Sequence, residues 1–125
     1  PSPPYAWAIN ACAGTPARAC AAADAAATPM AVRCCAPDSA PSARCLASLC
    51  DPPVFGFVTE VPPPAGSGVA AVGVSSHPQA AAACAALGGR LCTVVELEAG
   101  VCCGSGCDHN GRLVWSADAC DPSPR

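Results

Sequence analysis

The chain contains no lysine, and it has few of the large side chains from which most protein cores are built. Five of its 125 residues are aromatic, and leucine, isoleucine, valine and phenylalanine together number 20. The hydrophobic fraction of 52 % comes mostly from 29 alanines and 12 cysteines, and alanine buries little apolar surface. Because ordering the backbone costs about 1–2 kcal/mol per residue, this composition predicts that covalent cross-links support the fold.

The scarcity of positive charge excludes further classes of protein. With six arginines and a net charge of −3, the chain lacks the basic surface that nucleic-acid binding requires. The longest apolar runs, 19–27 and 80–87, are short and alanine-rich, well below the roughly 20 apolar residues of a membrane span. No charged segment followed by an apolar stretch opens the chain, so we expect a mature fragment without a secretory signal.

Cysteine, by contrast, is abundant. An even count near one residue in ten predicts a disulfide framework formed in an oxidising compartment, and therefore an extracellular protein. A zinc site would need paired C-x-x-C motifs, which are missing, so no metal or other cofactor is expected; the nearest cluster is Cys102, Cys103, Cys107 and His109. We expect six bridges, with connectivity left open, among Cys12, Cys20, Cys34, Cys35, Cys45, Cys50, Cys84, Cys92, Cys102, Cys103, Cys107 and Cys120.

Proline clusters organise the chain, whose length suits one domain. They predict a disulfide-rich domain over 5–120, a proline-rich linker at 1–4 and a Ser-Pro linker at 121–125. The proline-rich stretch 51–68 is a candidate seam between a front and a back half. Within it, the apolar run 54–61 predicts an edge strand, because prolines flank it on both sides.

Local signals in the front half predict one helix and one strand. Thr15 as cap and Pro16 at the first helical position predict a helix over 17–27, which Thr28-Pro29 ends. A strand is predicted over 30–35. Its adjacent Cys34 and Cys35 should point to opposite faces and bridge to different layers.

The back half completes an α+β pattern of short antiparallel strands and two to three short helices. Capping boxes at Ser76 and Thr93 predict helices that continue over 80–87 and up to Gly100. Strands are predicted at 69–74, 90–92 and 112–115. A tight turn at Asn110-Gly111 should lead into the last of them.

Several ordered motifs within residues 30–120 resemble a cysteine-rich module of secreted algal proteins. They are Val32-Arg33-Cys34-Cys35, the segment 84–97 with Arg90-Leu91-Cys92-Thr93 at its centre, Gly106-Cys107, Leu113-Val114-Trp115 and Cys120. The module recurs beside proline-rich stretches in cell-wall and extracellular-matrix hydroxyproline-rich glycoproteins, and the composition suits a volvocine-type green alga. The resemblance implies hydroxyproline-type O-glycosylation of the Ser-Pro and Pro-Pro tracts, at Ser2, Pro3, Pro4, Pro62, Pro63, Pro64, Pro122, Ser123 and Pro124.

The order of elements is also similar to the C-type lectin-like fold: a helix, Gly-Gly, Arg-Leu, a short helix and a late Val-Trp. That resemblance implies a bridge between Cys84, in the first helix, and Cys120. The family's Glu-Pro-Asn and Trp-Asn-Asp calcium motifs are missing, and Trp115-Ser116-Ala117-Asp118 matches half of the second. A shared scaffold would therefore not by itself bring lectin activity.

Candidate chemical sites are few, and no catalytic combination is predicted. Residues 108–111 carry the oxygen ligands and glycine of a calcium turn but lack the downstream carboxylate of an EF-hand, so a hairpin turn is favoured and a weak calcium or sugar site is the alternative. His77 and His109 are expected to be exposed. Glu96 has a capping role and shares no helix face with Glu98.

Two further features have a structural and a functional interpretation. The Gly104-Ser105-Gly106 segment, between Cys103 and Cys107, predicts a tight loop held by a disulfide rather than a nucleophile loop. Most aromatic side chains are expected in the core, with stacking on sugars as the alternative.

These observations favour a non-enzymatic structural module of an extracellular fibre, wall or matrix. Its expected partners are copies of itself or tandem modules, together with O-linked glycans. Neighbouring units are expected to meet through the 54–61 strand or the terminal stubs. A lectin-like carbohydrate-binding module is the alternative. A secreted protease inhibitor is a third class, for which 51–68 is the one evident exposed loop.

Overall fold

The computed structural model describes residues 3–12, 16–24, 30–37 and 44–122, and its first element is a hairpin. Strand β1 (Tyr5–Asn10) pairs antiparallel with β2 (Ala17–Ala22), with Trp7 opposite Cys20. The helix predicted from Ala17 is therefore wrong, because strand pairing and the Cys20–Cys120 disulfide outweigh the helix propensity of alanine. Thr15 and the Thr28-Pro29 stop lie outside the described residues.

The hairpin belongs to a five-stranded mixed sheet of order β2-β1-β9-β3-β7. Its other strands are β3 (Met30–Ala31), β7 (Val74–Ser75) and β9 (Val114–Ala119). β3 runs parallel to β9, and the other pairs are antiparallel. The strand predicted at 69–74 is reduced to β7, since Gly73 turns the chain with φ +83°. A Cβ on Gly73 would lie 1.7 Å from the Leu49 carbonyl oxygen.

A second sheet has four strands in the order β6-β5-β4-β8. They are β4 (Arg33–Cys35), β5 (Cys45–Leu49), β6 (Glu60–Val61) and β8 (Arg90–Leu91). The predicted 30–35 strand therefore crosses from one sheet to the other at Val32. β6 is an edge strand parallel to β5, but it is far shorter than the 54–61 strand that was predicted.

Two α-helices complete the α+β fold in the described part of the chain. Helix α1 (His77–Ala86) follows a capping box between Ser76 and Gln79, and α2 (Val94–Glu98) follows one between Thr93 and Glu96. Both predicted helices are confirmed. Neither helix in the described part of the chain is long and apolar enough to cross a membrane.

All twelve cysteines pair in six disulfides, as their even number predicted. Cys34 and Cys35 bridge to different elements, α1 and the residue after β8, which confirms their opposite orientations. The Cys84–Cys120 pairing is wrong, and the C-type lectin-like form of the fold is not confirmed. Every bridge joins a cysteine before residue 51 to one after residue 83: Cys12–Cys103, Cys20–Cys120, Cys34–Cys84, Cys35–Cys92, Cys45–Cys102 and Cys50–Cys107.

The core is built around Trp115, which is fully buried. Its Nε1 donates to the Ser75 carbonyl at 2.8 Å, and its ring meets His77 edge-on with centroids 5.3 Å apart. Small side chains such as Ala6 and Ala8 pack into the same cluster. Several disulfide sulfurs also lie in the core, so the bridges supply part of the apolar filling that the scarce aliphatic residues cannot.

Candidate functional site

Residues 54–58 form an exposed apolar loop after the Pro52-Pro53 pair. The exposed fractions are 45 % for Val54, 60 % for Phe55, 49 % for Phe57 and 95 % for Val58. Tyr5 is also exposed, so the expectation that most aromatic residues lie in the core is wrong for three of the five. A protein this poor in large apolar side chains nevertheless places four of them in solvent on one loop.

The carboxylate of Glu60 fixes the backbone of this loop by accepting hydrogen bonds from it. One of its oxygens accepts from the backbone N–H groups of Gly56 at 2.8 Å and Val54 at 3.2 Å. The other accepts from Phe55 and Cys107, each at 2.9 Å. Burial raises the pKa of Glu60, but the four N–H donors outweigh it and hold the pKa below its usual value. The loop is therefore tied both to the end of β6 and to the segment around Cys107.

The segment 103–110 lies across from the loop and is anchored by two disulfides, one at its start, Cys103, and one at Cys107. Cys103 bridges to Cys12 and Cys107 to Cys50, as expected for a disulfide-held loop. Gly106 allows the backbone of this segment to approach the Glu60 side chain closely, since a Cβ at Gly106 would lie 2.5 Å from Cγ of Glu60. The hairpin turn predicted at 110–111 is wrong: His109–Gly111 form one turn of 3-10 helix.

A buried arginine beneath this segment was missed by sequence reasoning. The guanidinium of Arg33 donates to Oγ of Ser48 and to Oδ1 of Asn110, both at 3.1 Å. Oδ1 of Asn110 also accepts from the N–H of Gly104 at 3.0 Å. Burial lowers the pKa of Arg33 to about 10. A charge between Val32 and Cys34 was a usable signal, because a charged residue inside an apolar strand must find buried partners.

These contacts bear on the calcium alternative at 108–111. The amide oxygen of Asn110, one of its expected ligands, is already occupied by two donors and lies 3.1 Å from a buried cation. A divalent ion at that oxygen would meet the Arg33 guanidinium at close range. The turn is therefore a poor calcium ligand set.

His109 is 1 % exposed and His77 is 4 % exposed, so the prediction that both are exposed is wrong. Nε2 of His109 lies 3.1 Å from the Leu49 carbonyl oxygen. Because a carbonyl can only accept, Nε2 carries the proton and Nδ1 is a bare acceptor. Nδ1 has no hydrogen-bond partner among the described residues. Burial, aided by Arg33 and Arg112, lowers the pKa of His109 to about 4, so the ring is neutral at pH 7.

The loop and the 104–110 segment together enclose a groove of about 320 Å³. The sequence points to the two sides separately: 54–61 is predicted as a contact strand, and 108–111 as a hairpin turn with a weak calcium or sugar site as the alternative. Their common groove follows from tertiary packing through Glu60 and the Cys50–Cys107 bridge. The residues lining the groove are Phe55, Phe57, Gly104, Gly106, Asp108, His109 and Asn110.

A second groove, of about 470 Å³, runs between α1 and β8, and alanine and glycine make up half of its lining residues. The charged group of this groove, the Arg90 guanidinium, forms a salt bridge with Glu96, with Nη1 donating to Oε1 at 2.7 Å. The hydrogen bond from Arg90 lowers the pKa of Glu96 to about 2, with help from Thr93 at the helix cap. This carboxylate therefore serves the helix start, as predicted, rather than the groove.

Among the residues that the structure describes, two groups of side chains have the spacing of metal ligands, but their cysteines are already in disulfides. Neither Cys35, Cys92 and Cys102 nor Cys50 and Cys107 can offer the thiolate that a metal requires.

No protein-family model matches the chain, and no curated protein and no solved structure matches it.

Proposed function

We propose that the protein is a non-enzymatic structural module of an extracellular glycoprotein fibre, cell wall or matrix. Its contact surface is the loop 54–58. The observation that carries this proposal is the exposure of Val54, Phe55, Phe57 and Val58 on a backbone fixed by Glu60. Contiguous apolar groups on a soluble domain are typical of interaction sites. A contact surface ordered before binding also loses less conformational entropy when the partner arrives.

The contact differs from the strand addition expected at 54–61. The N–H groups of Val54, Phe55 and Gly56 already donate to Glu60, so they cannot pair with an incoming strand. Edge pairing is limited to the two residues of β6. The side chains of the loop, rather than its backbone, therefore make the contact.

The assignment of a structural rather than a catalytic role is supported by what the ionisable groups do. Glu60 binds four backbone N–H groups and Glu96 caps α2. His77 and His109 are buried with Nε2 against backbone carbonyls. Each of these groups has a demonstrable task in holding the fold.

An extracellular location is supported by the six disulfides, which are typical of extracellular proteins. The proposed O-glycosylation is supported by the exposure of Pro4, Pro62 and Pro122; Pro3, Pro63 and Pro64 are half-buried. The remaining proposed sites, Ser2, Ser123 and Pro124, lie outside the described residues. The resemblance to algal wall modules is likewise part of this proposal.

The proposal is tested on unreduced protein by sedimentation and electron microscopy. Native material should form oligomers or fibres, and the double variant Phe55→Ser/Phe57→Ser should weaken association by about tenfold or more, since buried aromatic residues dominate contact energies. The matched control is Val72→Ser/Val95→Ser, two exposed valines elsewhere on the surface, which should assemble like the wild type.

Native protein that stays monomeric, or a phenylalanine variant that assembles unchanged, would overturn the contact. In the same native sample, an intact mass above the 12.2 kDa of the bare chain supports glycosylation, and a mass equal to it contradicts that part.

A further inference from the structure

We infer that the groove between the 54–58 loop and the 104–110 segment binds a neutral sugar ring, and that it does so without calcium. The inference rests on the proposed function for the source of the sugar, a glycan of a neighbouring unit or of the surrounding matrix. The chemical class of the ligand does not depend on the proposed function, because it follows from the groups that line the groove.

Two phenyl rings give the groove its apolar side. Phe55 and Phe57 have centroids 6.3 Å apart and planes inclined at 58°, so they form a V rather than a flat stack. The face of an aromatic ring carries partial negative charge and attracts the polarised C–H groups of a sugar. A V of two such rings suits a ligand that is itself non-planar and has C–H groups on more than one side.

The opposite side supplies polar groups that are complementary to hydroxyls. Asp108 is exposed, and its carboxylate can only accept hydrogen bonds. The oxygen of Asn110 is occupied, which leaves its NH₂ group as a donor toward solvent. A ligand with several hydroxyls can donate to the Asp108 carboxylate and accept from the Asn110 amide together.

Charge and size narrow the class of ligand. An anionic ligand would meet the Asp108 carboxylate, and a metal ion near Asn110 would meet the Arg33 guanidinium. The volume of about 320 Å³ lies at the small end of ligand sites, which span roughly 300–1,000 Å³. A neutral sugar ring satisfies the apolar side, the acceptors and the size.

The test uses the full, disulfide-bonded chain and a panel of methyl glycosides of glucose, galactose, mannose and arabinose, with glucuronate as the anionic probe. Saturation-transfer NMR should detect at least one neutral glycoside and not glucuronate, and EDTA should leave the signal unchanged. Phe57→Ala and Asp108→Ala should each raise the Kd by about tenfold, through lost stacking and a lost charged acceptor.

Val95→Ser is the matched control, because Val95 is an exposed valine on α2 that does not line the groove, and its Kd should equal that of the wild type. The backbone amide resonances of Gly104 and Gly106, which line the groove, should shift when the glycoside binds, while amide resonances in α1 stay in place. Absence of binding to every neutral glycoside, binding unchanged in Phe57→Ala, or binding abolished by EDTA would overturn the inference.

Failure here is distinguishable from failure of the proposed function. If the phenylalanine double variant no longer assembles and the wild type binds no glycoside, the sugar site is overturned and the contact surface stands. If glycosides bind and the double variant still assembles, the sugar site stands and the contact surface is overturned. If adding the glycoside makes native assemblies dissociate, the natural ligand is a glycan of a neighbouring unit. If the assemblies stay intact, the natural ligand is a separate matrix glycan.

Discussion

His77 and His109 are both buried, and each places Nε2 against a backbone carbonyl, of Ser116 at 2.8 Å and of Leu49 at 3.1 Å. Trp115 is buried in the same way, and its Nε1 donates to the backbone carbonyl of Ser75. These side chains bring apolar volume into a core short of leucine and phenylalanine, and the ring N–H group of each is satisfied by a backbone carbonyl. Polar aromatic residues therefore replace some of the missing aliphatic core.

His109 makes the stability of the protein depend on pH. Its pKa of about 4 in the folded state lies below the ordinary 6.5, so the unfolded chain binds more protons between these values. The free energy of unfolding should therefore fall as the pH drops, by about 2 kcal/mol between pH 7 and pH 5, where ordinary carboxyl groups remain mostly ionised. Guanidinium titrations at the two pH values measure this.

The charged groups that act on His109 are Arg33, Arg112 and Asp108. NMR titration of the His109 ring assigns the effect, and His109→Gln, if it folds, should lose that part of the pH dependence. A measured His109 pKa near 6.5 would contradict the prediction.

Among the elements, the 54–58 loop shows how an irregular segment becomes a defined surface. It has no strand partner, yet three successive N–H groups converge on one carboxylate from the end of β6. The arrangement satisfies backbone donors that a loop normally leaves to water. It also fixes the direction in which Phe55 and Phe57 project.

Replacing that carboxylate by an amide should loosen the loop. In Glu60→Gln one oxygen becomes an NH₂ group, which cannot accept and faces N–H donors. Amide hydrogen exchange at residues 54–56 and 107 should quicken by about tenfold or more, and binding or assembly at the loop should weaken with it. Glu98→Gln is the control, since that exposed carboxylate pairs with Arg18 on the surface.

Exchange at 54–56 unchanged in Glu60→Gln would show that the hydrogen bonds to Glu60 do not order the loop. Quickened exchange in Glu98→Gln as well would show a general loss of stability instead.

At the scale of the whole molecule, six disulfides tie the first 50 residues to the last 42. Five of them close separations of 57 residues or more, and Cys34–Cys84 closes 50. Bridges stabilise by restricting the unfolded chain, and the longest loops gain most. Buried bridges such as Cys34–Cys84 also fill space in the core.

The two contributions can be separated by comparing two bridges. Removing the half-exposed Cys20–Cys120, with a separation of 100, should cost about 2–4 kcal/mol. Removing Cys34–Cys84 should cost more, because both residues are fully buried and their loss leaves a cavity, although its loop is half as long. Guanidinium unfolding of the double alanine variants measures both.

The reverse order would mean that unfolded-chain entropy, rather than core packing, dominates the role of the bridges. Thiol titration of the unreduced, denatured wild type should find no free cysteine, and two or more reactive thiols would contradict the six-bridge framework.

The sequence by itself determined the features that depend on neighbours along the chain. The capping boxes at Ser76 and Thr93, and the opposite orientations of Cys34 and Cys35, follow from spacings of a few residues and are confirmed. The need for disulfides followed from composition, since alanine cannot supply enough apolar burial.

Tertiary structure alone decided the rest. The alanine run at 17–22 became a strand because β1 was available to pair with it, and the partners of Cys84 and Cys120 depended on which elements packed together. The groove needed Glu60 to reach both its own loop and Cys107, 47 residues away. Contacts between residues so distant in the chain depend on how the sheets pack, and the local spacing of residues does not determine that packing.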